Sequence, residues 1–263
     1  MTRFLLALAA ALAASAACAL ENPFPEAASA YLVLRDGRPL FGAQIDRRLP
    51  PASLAKMMSA LLALEGGGLD AEVEVSRAAA AETGKRLGLK AGERLRAGDL
   101  LAATVIGSAN DACRALAEHV GGSRERFVGM MNARAEALGL RQTRFADPCG
   151  HDRKGQFSTV QDLAKLAAAV SAQPEYLRLA AMRRASVRTL GGERELSFSN
   201  TNALVGRYPG VLGLKSGYTE AAGTCLVALV ERDGSRVLLV MLHASERWWD
   251  AVAILERAFH APK

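Results

Sequence analysis

Two hydrophobic periods alternate along this chain. Residues 30–34 (Ala-Tyr-Leu-Val-Leu) are an apolar run of strand length. Asp36-Gly37 follows as a hairpin turn signal, and Pro39-Leu40-Phe41-Gly42 as the return strand. Over residues 50–65 apolar side chains cover nearly the whole circumference of one predicted helix, which marks it as buried. Pro50 and Pro51 suit its start, and Gly66-Gly67-Gly68 its end. A short alternating strand is predicted at 72–75. Helical spacing returns after Gly98 through Leu100, Leu101 and Val105, and breaks at Ile106-Gly107-Ser108-Ala109. It resumes over 110–120, until Gly121-Gly122. Ser123 caps another helix through Phe127, Met130, Met131 and Leu138, ended by Gly139. Residues 140–157 are rich in loop formers. Ser158 with Gln161 reads as a capping box for a helix over 159–170.

From about residue 183 the period turns to that of strands. Segments 185–190 and 193–198 flank Gly191-Gly192, and 211–218 is a further strand. Segments 224–231 and 236–243 are joined by Asp233-Gly234, a second hairpin signal. A helix over 247–259 closes the chain, with one ring of Trp248-Trp249 expected inward and the other near the surface. Met57, Met58, Met130 and Met131 are expected in the core. Strands at both ends and helices between them imply an α/β fold. One antiparallel sheet is built from the N-terminal hairpin plus the C-terminal strands. Terminal elements cover one face, and a mostly helical inserted region covers the other. No repeat, low-complexity linker or break in composition marks a second domain.

The 263 residues carry a net charge of +6, and the basic residues are scattered among few aromatics. That suits an anionic envelope or polymer and gives no support to a nucleic-acid partner. The N-terminus changes the picture more. Met1-Thr2-Arg3 is a short charged start, residues 4–14 are uninterruptedly apolar, and Ala17-Cys18-Ala19 fits a small-x-small cleavage site. Residues 1–19 therefore read as a secretory signal peptide, with a mature domain over 20–263 in the periplasm or cell envelope and no transmembrane anchor after cleavage. A retained anchor is the alternative. Ser15 stands where a lipoprotein signal has a large aliphatic residue, so lipidation of Cys18 is not expected. Cys113, Cys149 and Cys225 then remain, an odd number. One disulfide is allowed in an oxidising compartment, and the sequence does not choose its partners.

Into the apolar helix of residues 50–65 the sequence inserts Ser53 in the first turn and Lys56 three residues later. Positions i and i+3 share a face, so the hydroxyl and the amine can touch. A lysine in such a helix is costly unless it is partnered or loses its proton. Two further short motifs stand in order after Ser53-Leu54-Ala55-Lys56: Ser108-Ala109-Asn110 at the break between two helices, and Lys215-Ser216-Gly217 on a strand. Each alone has a bland reading, as a snorkelling lysine, a helix cap and a strand end. Together, in this order and these settings, they form the motif set of penicillin-binding serine enzymes.

Here the chain resembles the D-alanyl-D-alanine carboxypeptidase family, the low-molecular-mass penicillin-binding proteins. Several segments carry the resemblance: Pro51-Ala52-Ser53-Leu54-Ala55-Lys56-Met57-Met58, Ser108-Ala109-Asn110-Asp111-Ala112-Cys113, Phe127-Val128-Gly129-Met130-Met131-Asn132, Ser199-Asn200-Thr201-Asn202-Ala203-Leu204, and Gly213-Leu214-Lys215-Ser216-Gly217-Tyr218-Thr219-Glu220. It implies a β-lactamase/transpeptidase-like fold, no cofactor, and acyl transfer through a serine ester on peptidoglycan stem peptides, with β-lactams as inhibitors. Ser53 is then the nucleophile and Lys56 its base, kept neutral by burial and by the nearby cation Lys215. Helix N-terminal amides favour negative charge at Ser53. Ser108 relays a proton to the leaving amine, and Asn110 binds the substrate amide. Lys215 and Ser216 hold the terminal carboxylate, and Gly217 leaves room beside the strand. The N–H groups of Ser53 and Tyr218 form the oxyanion hole.

Two departures stand out. Position 216 is Ser where the family more often has Thr, so rate or penicillin affinity should change without loss of the hydroxyl. Cys149 occupies a place where the family commonly has a small polar residue or His. A thiol nucleophile built from Cys149 and His151 has poor spacing, and the histidines show no metal pattern. D-Ala-D-Ala carboxypeptidase is the leading reading, with DD-endopeptidase beside it. The chain ends at Ala261-Pro262-Lys263 without the β-rich domain and amphipathic helix of many family carboxypeptidases, which raises the endopeptidase reading. A β-lactamase would need a Glu-x-x-Leu-Asn element, which is missing. An inactive penicillin-binding scaffold would keep its biological role after Ser53→Ala.

Overall fold

Strands gather at the two ends of the chain and helices between them. The computed structural model describes residues 21–262 except residue 246, so the proposed leader and Cys18 lie outside the described residues. Strands β1 (Ala28–Arg35) and β2 (Arg38–Ala43) form the first hairpin. A 3-10 turn, Ala52–Ala55, runs directly into α1 (Lys56–Gly66). There follow β3 (Glu72–Glu74), α2 (Arg77–Ala80), β4 (Arg94–Arg96), α3 (Ala97–Val105), α4 (Asn110–Gly121), α5 (Arg124–Ala137), α6 (Val160–Ser171) and α7 (Pro174–Ala180). The chain returns to strands in β5 (Arg184–Arg188), β6 (Glu195–Ser199), β7 (Val211–Thr219), β8 (Gly223–Arg232) and β9 (Ser235–Ala244), and closes with α8 (Arg247–His260).

The main sheet is antiparallel with strand order β2-β1-β9-β8-β7, so the N-terminal hairpin joins the C-terminal strands as the pattern implied. β1 lies against β9 with Leu32 opposite Val240 and Leu34 opposite Leu238. Both Asp-Gly dipeptides form hairpin tips, each with two consecutive residues at positive φ (Asp36 and Gly37, Asp233 and Gly234). The central strands read as apolar runs because both faces are covered. Tyr31, Val33, Leu226, Ala228, Val230, Leu239 and Met241 pack with Ala251, Ile254 and Leu255 of α8. Leu32, Val227, Leu229, Val240 and Leu242 belong to a larger core with α1, α3, α4 and α6.

Several local expectations change. Residues 50–65 are not one α-helix, because Ser53 sits in the 3-10 turn and Lys56 opens α1. The cap of α6 is Thr159, whose hydroxyl accepts from Asp162 N, while Ser158 bonds Thr143 instead. Among the described residues, strands β5 and β6 form a separate two-stranded sheet, as do β3 and β4. Met130 is exposed, unlike Met57, Met58 and Met131. Trp248 packs on the α8 layer and Trp249 faces solvent.

The layer under α8 makes a simple test. Ile254→Ala removes most of a fully buried side chain. It should lower stability by about 2–5 kcal/mol, read as a lower urea midpoint with an unchanged slope.

Candidate active site

The 3-10 turn is what makes Ser53 and Lys56 meet. In such a turn side chains three apart eclipse one another, and Lys56 Nζ lies 3.0 Å from Ser53 Oγ. The residue before the serine, Ala52, has φ 47°, a left-handed conformation that an L-residue adopts at a cost of roughly 1–3 kcal/mol. Lys56 is 1% exposed. Its amine also donates to Asn110 Oδ1 (2.7 Å) and to the carbonyl oxygen of Cys149. Burial lowers its pKa to about 7, while the carboxylates of Asp147 and Glu82 work in the opposite direction. Of the two causes expected from the sequence, burial and Lys215, burial is the one that leads.

Ser108 breaks the helical path between α3 and α4. It is the second strained residue of the site, with φ 57°, and is buried. Two residues later Asn110 opens α4. Its Oδ1 accepts from Lys56, its Nδ2 donates to Thr83 O (2.6 Å), and its backbone N donates to Lys85 O (2.8 Å). The next residue, Asp111, is fully buried, and its carboxylate accepts from the backbone N–H groups of Leu87, Gly88 and Leu89. The second motif thus holds Lys56 on one side and the 83–89 segment on the other.

The third motif lies on β7, at one edge of the sheet. Lys215 and Gly217 are two apart and share one face. A Cβ on Gly217 would come 2.8 Å from Ser53 N and 3.0 Å from Ala52 Cβ, so β7 presses directly on the serine turn. Gly150 approaches the same turn from the 147–151 loop, where a Cβ would fall 2.0 Å from Ala52 O. Lys215 is 1% exposed and donates to Ser216 O. The Ser216 hydroxyl donates to Thr201 Oγ1 at 3.0 Å. Tyr218, next to the last residue of β7, is 64% exposed. A cavity of about 300 Å³ opens beside the turn, lined in part by Ala52, His151, Arg153, Lys154 and Ala221.

The sequence profile of the D-alanyl-D-alanine carboxypeptidase family, peptidase S11, matches residues 17–246. The chain belongs to this family. It is 35% identical over 243 residues to the D-alanyl-D-alanine carboxypeptidase DacF of Bacillus subtilis, covering 89% of this chain and 62% of that one. It therefore spans less than two thirds of that relative's length. It is 32% identical to a D-alanyl-D-alanine endopeptidase of Escherichia coli, covering 88% of this chain and 75% of the other. The crystal structure of a D-alanyl-D-alanine carboxypeptidase from Mycobacterium tuberculosis superposes with a TM-score of 0.86 at 30% identity, over 94% of this chain and 96% of that one.

Within the family fold, the sequence-derived residues Ser53, Lys56 and Asn110 are joined by hydrogen bonds, and Gly217 brings β7 against them. Three contributors were not expected. Cys149 supplies a backbone acceptor to Lys56 and is bonded to Cys113 in a disulfide, which removes the thiol-nucleophile reading. Asp147 accepts from Cys149 N and His151 N and pairs with Arg124. Glu82 bridges His151 and Arg114. Asp111 was visible as a motif flank and Asp147 only as part of a loop-rich stretch; both bind backbone N–H groups, which leave no pattern in sequence.

Gly217→Ala should push β7 off the serine turn. The expected loss is about 1–3 kcal/mol of stability, measured by urea unfolding.

Proposed function

We propose that the chain is a serine DD-peptidase that cleaves the D-Ala-D-Ala end of peptidoglycan stem peptides through an acyl-Ser53 ester. The observation that carries this reading is a lysine amine closed off from water and in contact with a serine hydroxyl. Burial lowers its pKa to about 7, so the unprotonated amine is accessible at neutral pH. The Ser53 hydroxyl then donates to Nζ, the reverse of the bond made by the ammonium form, and Lys56 takes the proton as Oγ attacks the penultimate carbonyl.

Negative charge develops on the carbonyl oxygen and is met by the N–H groups of Ser53 and Tyr218. Ser108 passes a proton to the leaving D-Ala nitrogen. Asn110 is tied through Oδ1 to Lys56 and through one N–H to Thr83, so its remaining N–H is the group offered to a substrate carbonyl. Lys215 supplies the positive charge for the terminal carboxylate, with the Ser216 hydroxyl and its partner Thr201 beside it. Water then hydrolyses the ester. β-Lactams acylate the same serine. No step calls for a cofactor. The apolar N-terminal stretch supports delivery to the periplasm by a cleaved leader, with 20–263 as the catalytic unit.

DD-endopeptidase activity is the second reading, favoured by the 32% identity to the Escherichia coli endopeptidase. The two share acylation and differ in whether the leaving amine is free D-Ala or a crosslinked side chain. Muropeptide digestion separates them. Release of terminal D-Ala with dimers left intact is the expected result, and dimer cleavage would replace the carboxypeptidase reading.

Fluorescent penicillin should label the wild type and fail to label Ser53→Ala, with Lys56→Ala slowed by at least about 100-fold. Equal labelling of Ser53→Ala would reject the acyl-serine mechanism. The pH dependence follows from Lys56. Protonation removes the base, so the acylation rate should fall about tenfold per pH unit below its pKa near 7 and level off above it. A rate that is flat from pH 5 to 8 would remove Lys56 from the role of base.

A further inference from the structure

Two of the three groups that hold Lys56 come from segments far apart in sequence. Asn110 Oδ1 sits at the start of α4, and the Cys149 carbonyl sits in the loop after α5. These two segments are joined covalently, because Cys113 and Cys149, 36 positions apart in sequence, form a disulfide with their Cα atoms 5.9 Å apart. Cys113 is one helical turn from Asn110, on the same face of α4. Cys149 carries the other acceptor on its own backbone. The bridge therefore sets the spacing of the two groups that clasp the amine from either side. Each sulfur also lies against the opposite segment, Cys113 Sγ at 3.4 Å from Pro148 O and Cys149 Sγ at 3.6 Å from Asn110 O.

We propose that the Cys113–Cys149 disulfide is a positioning clamp for Lys56, so that acylation of Ser53 is turned on by oxidation of these two thiols and attenuated by their reduction. The proposal rests on the reading of Lys56 as the base. Two thiols cannot remain at bonding distance, so reduction moves the Cys149 carbonyl relative to Asn110 and admits water to the amine. The rest of the loop has its own ties. Asp147 Oδ1 accepts from Cys149 N and His151 N, Gln156 Oε1 accepts from Ala146 N and Asp147 N, and Ser59 Oγ donates to Pro148 O. Arg124 pairs with Asp147. Reduction should therefore loosen the clasp without unfolding the domain.

The redox step is a thiol–disulfide exchange. On oxidation the two cysteine sulfurs give up two protons and two electrons to a disulfide oxidant, through a mixed disulfide. Both cysteines are buried, Cys113 at 0% and Cys149 at 2% exposure, so dithiothreitol reaches the bridge through local opening of the 147–151 loop; it then returns the protons and electrons and leaves as its cyclic disulfide.

The charged groups around Lys56 set the sign of the pH effect. Asp147 from the loop and Glu82 ahead of α4 favour the ammonium, Glu82 being shared with His151 and Arg114. β7 brings the cation Lys215 on the face turned to the serine turn. With both carboxylates kept and burial relaxed, the amine should hold its proton to higher pH.

The test compares the enzyme before and after dithiothreitol, with Cys225→Ala as the background so that the buried third thiol of the described residues is removed. Thiol titration must show two more free thiols in the reduced form. Expected is an acylation rate constant for fluorescent penicillin about fivefold lower at pH 7. The rising limb of the pH profile should move up by about one unit, far-UV circular dichroism and the cooperative urea transition should be retained, and full recovery should follow reoxidation. An unchanged rate and pH limb in the reduced form overturns the proposal. So does loss of the folded signal on reduction, which would make the bridge a stability element. If the oxidised enzyme does not label, the acyl-serine reading fails and this proposal fails with it.

Discussion

Everything in the site follows from keeping one primary amine away from water. Lys56 is buried among the apolar side chains of α1 and its neighbours, and this lowers its affinity for a proton far enough to make it a base near neutrality. A buried ammonium would be expensive, so the surrounding groups must serve either protonation state. Ser53 Oγ can accept or donate, while Asn110 Oδ1 and the Cys149 carbonyl accept from whichever N–H bonds the amine retains. Two acidic side chains pull the other way, and each is itself anchored by a cation: Asp147 by Arg124, Glu82 by Arg114. The amine is thus poised by opposing influences.

Strain and close approach accompany that balance. Ala52 and Ser108 both sit at positive φ, and they precede Ser53 and Asn110, the two side chains that meet Lys56, by one and two residues. Gly217 and Gly150 let two different segments reach the backbone of the serine turn, where a methyl group on either would overlap it. A site built from three separate stretches of chain can be this tight only if side chains are left out where the stretches touch.

Much of this was legible in the sequence, for identifiable reasons. Strands buried on both faces, such as β8 and β9, leave apolar runs bounded by Asp-Gly, and these placed the hairpins and the sheet. Ser53 and Lys56 stood out as polar groups three apart in an apolar helix, whereas Ser108 and Lys215 stood out only as parts of the ordered motif set that carries the family resemblance. Other features were hidden because they are made of backbone or of distance. The Cys149 carbonyl carries no side-chain signature, and the choice of Cys113 over Cys225 as its partner depends on how α4 meets the 147–151 loop. Thr159 and Ser158 carry similar hydroxyls, so the pattern could not say which would cap α6. The 3-10 start of the serine segment was read as α because both helices bring i and i+3 together.

The strand order has a consequence in time. β1 leaves the N-terminal end of the fold and waits for β9, some 200 residues later, before it has a second neighbour. Ser53 comes early, but its turn rests on β7, β7 rests on β8, and β8 on β9. Contacts so distant along the chain close late and slowly. Ser53 is therefore made before most of the fold it rests on and is among the last of its residues to acquire its surroundings. A growing chain carries no finished site until its final strand has been made.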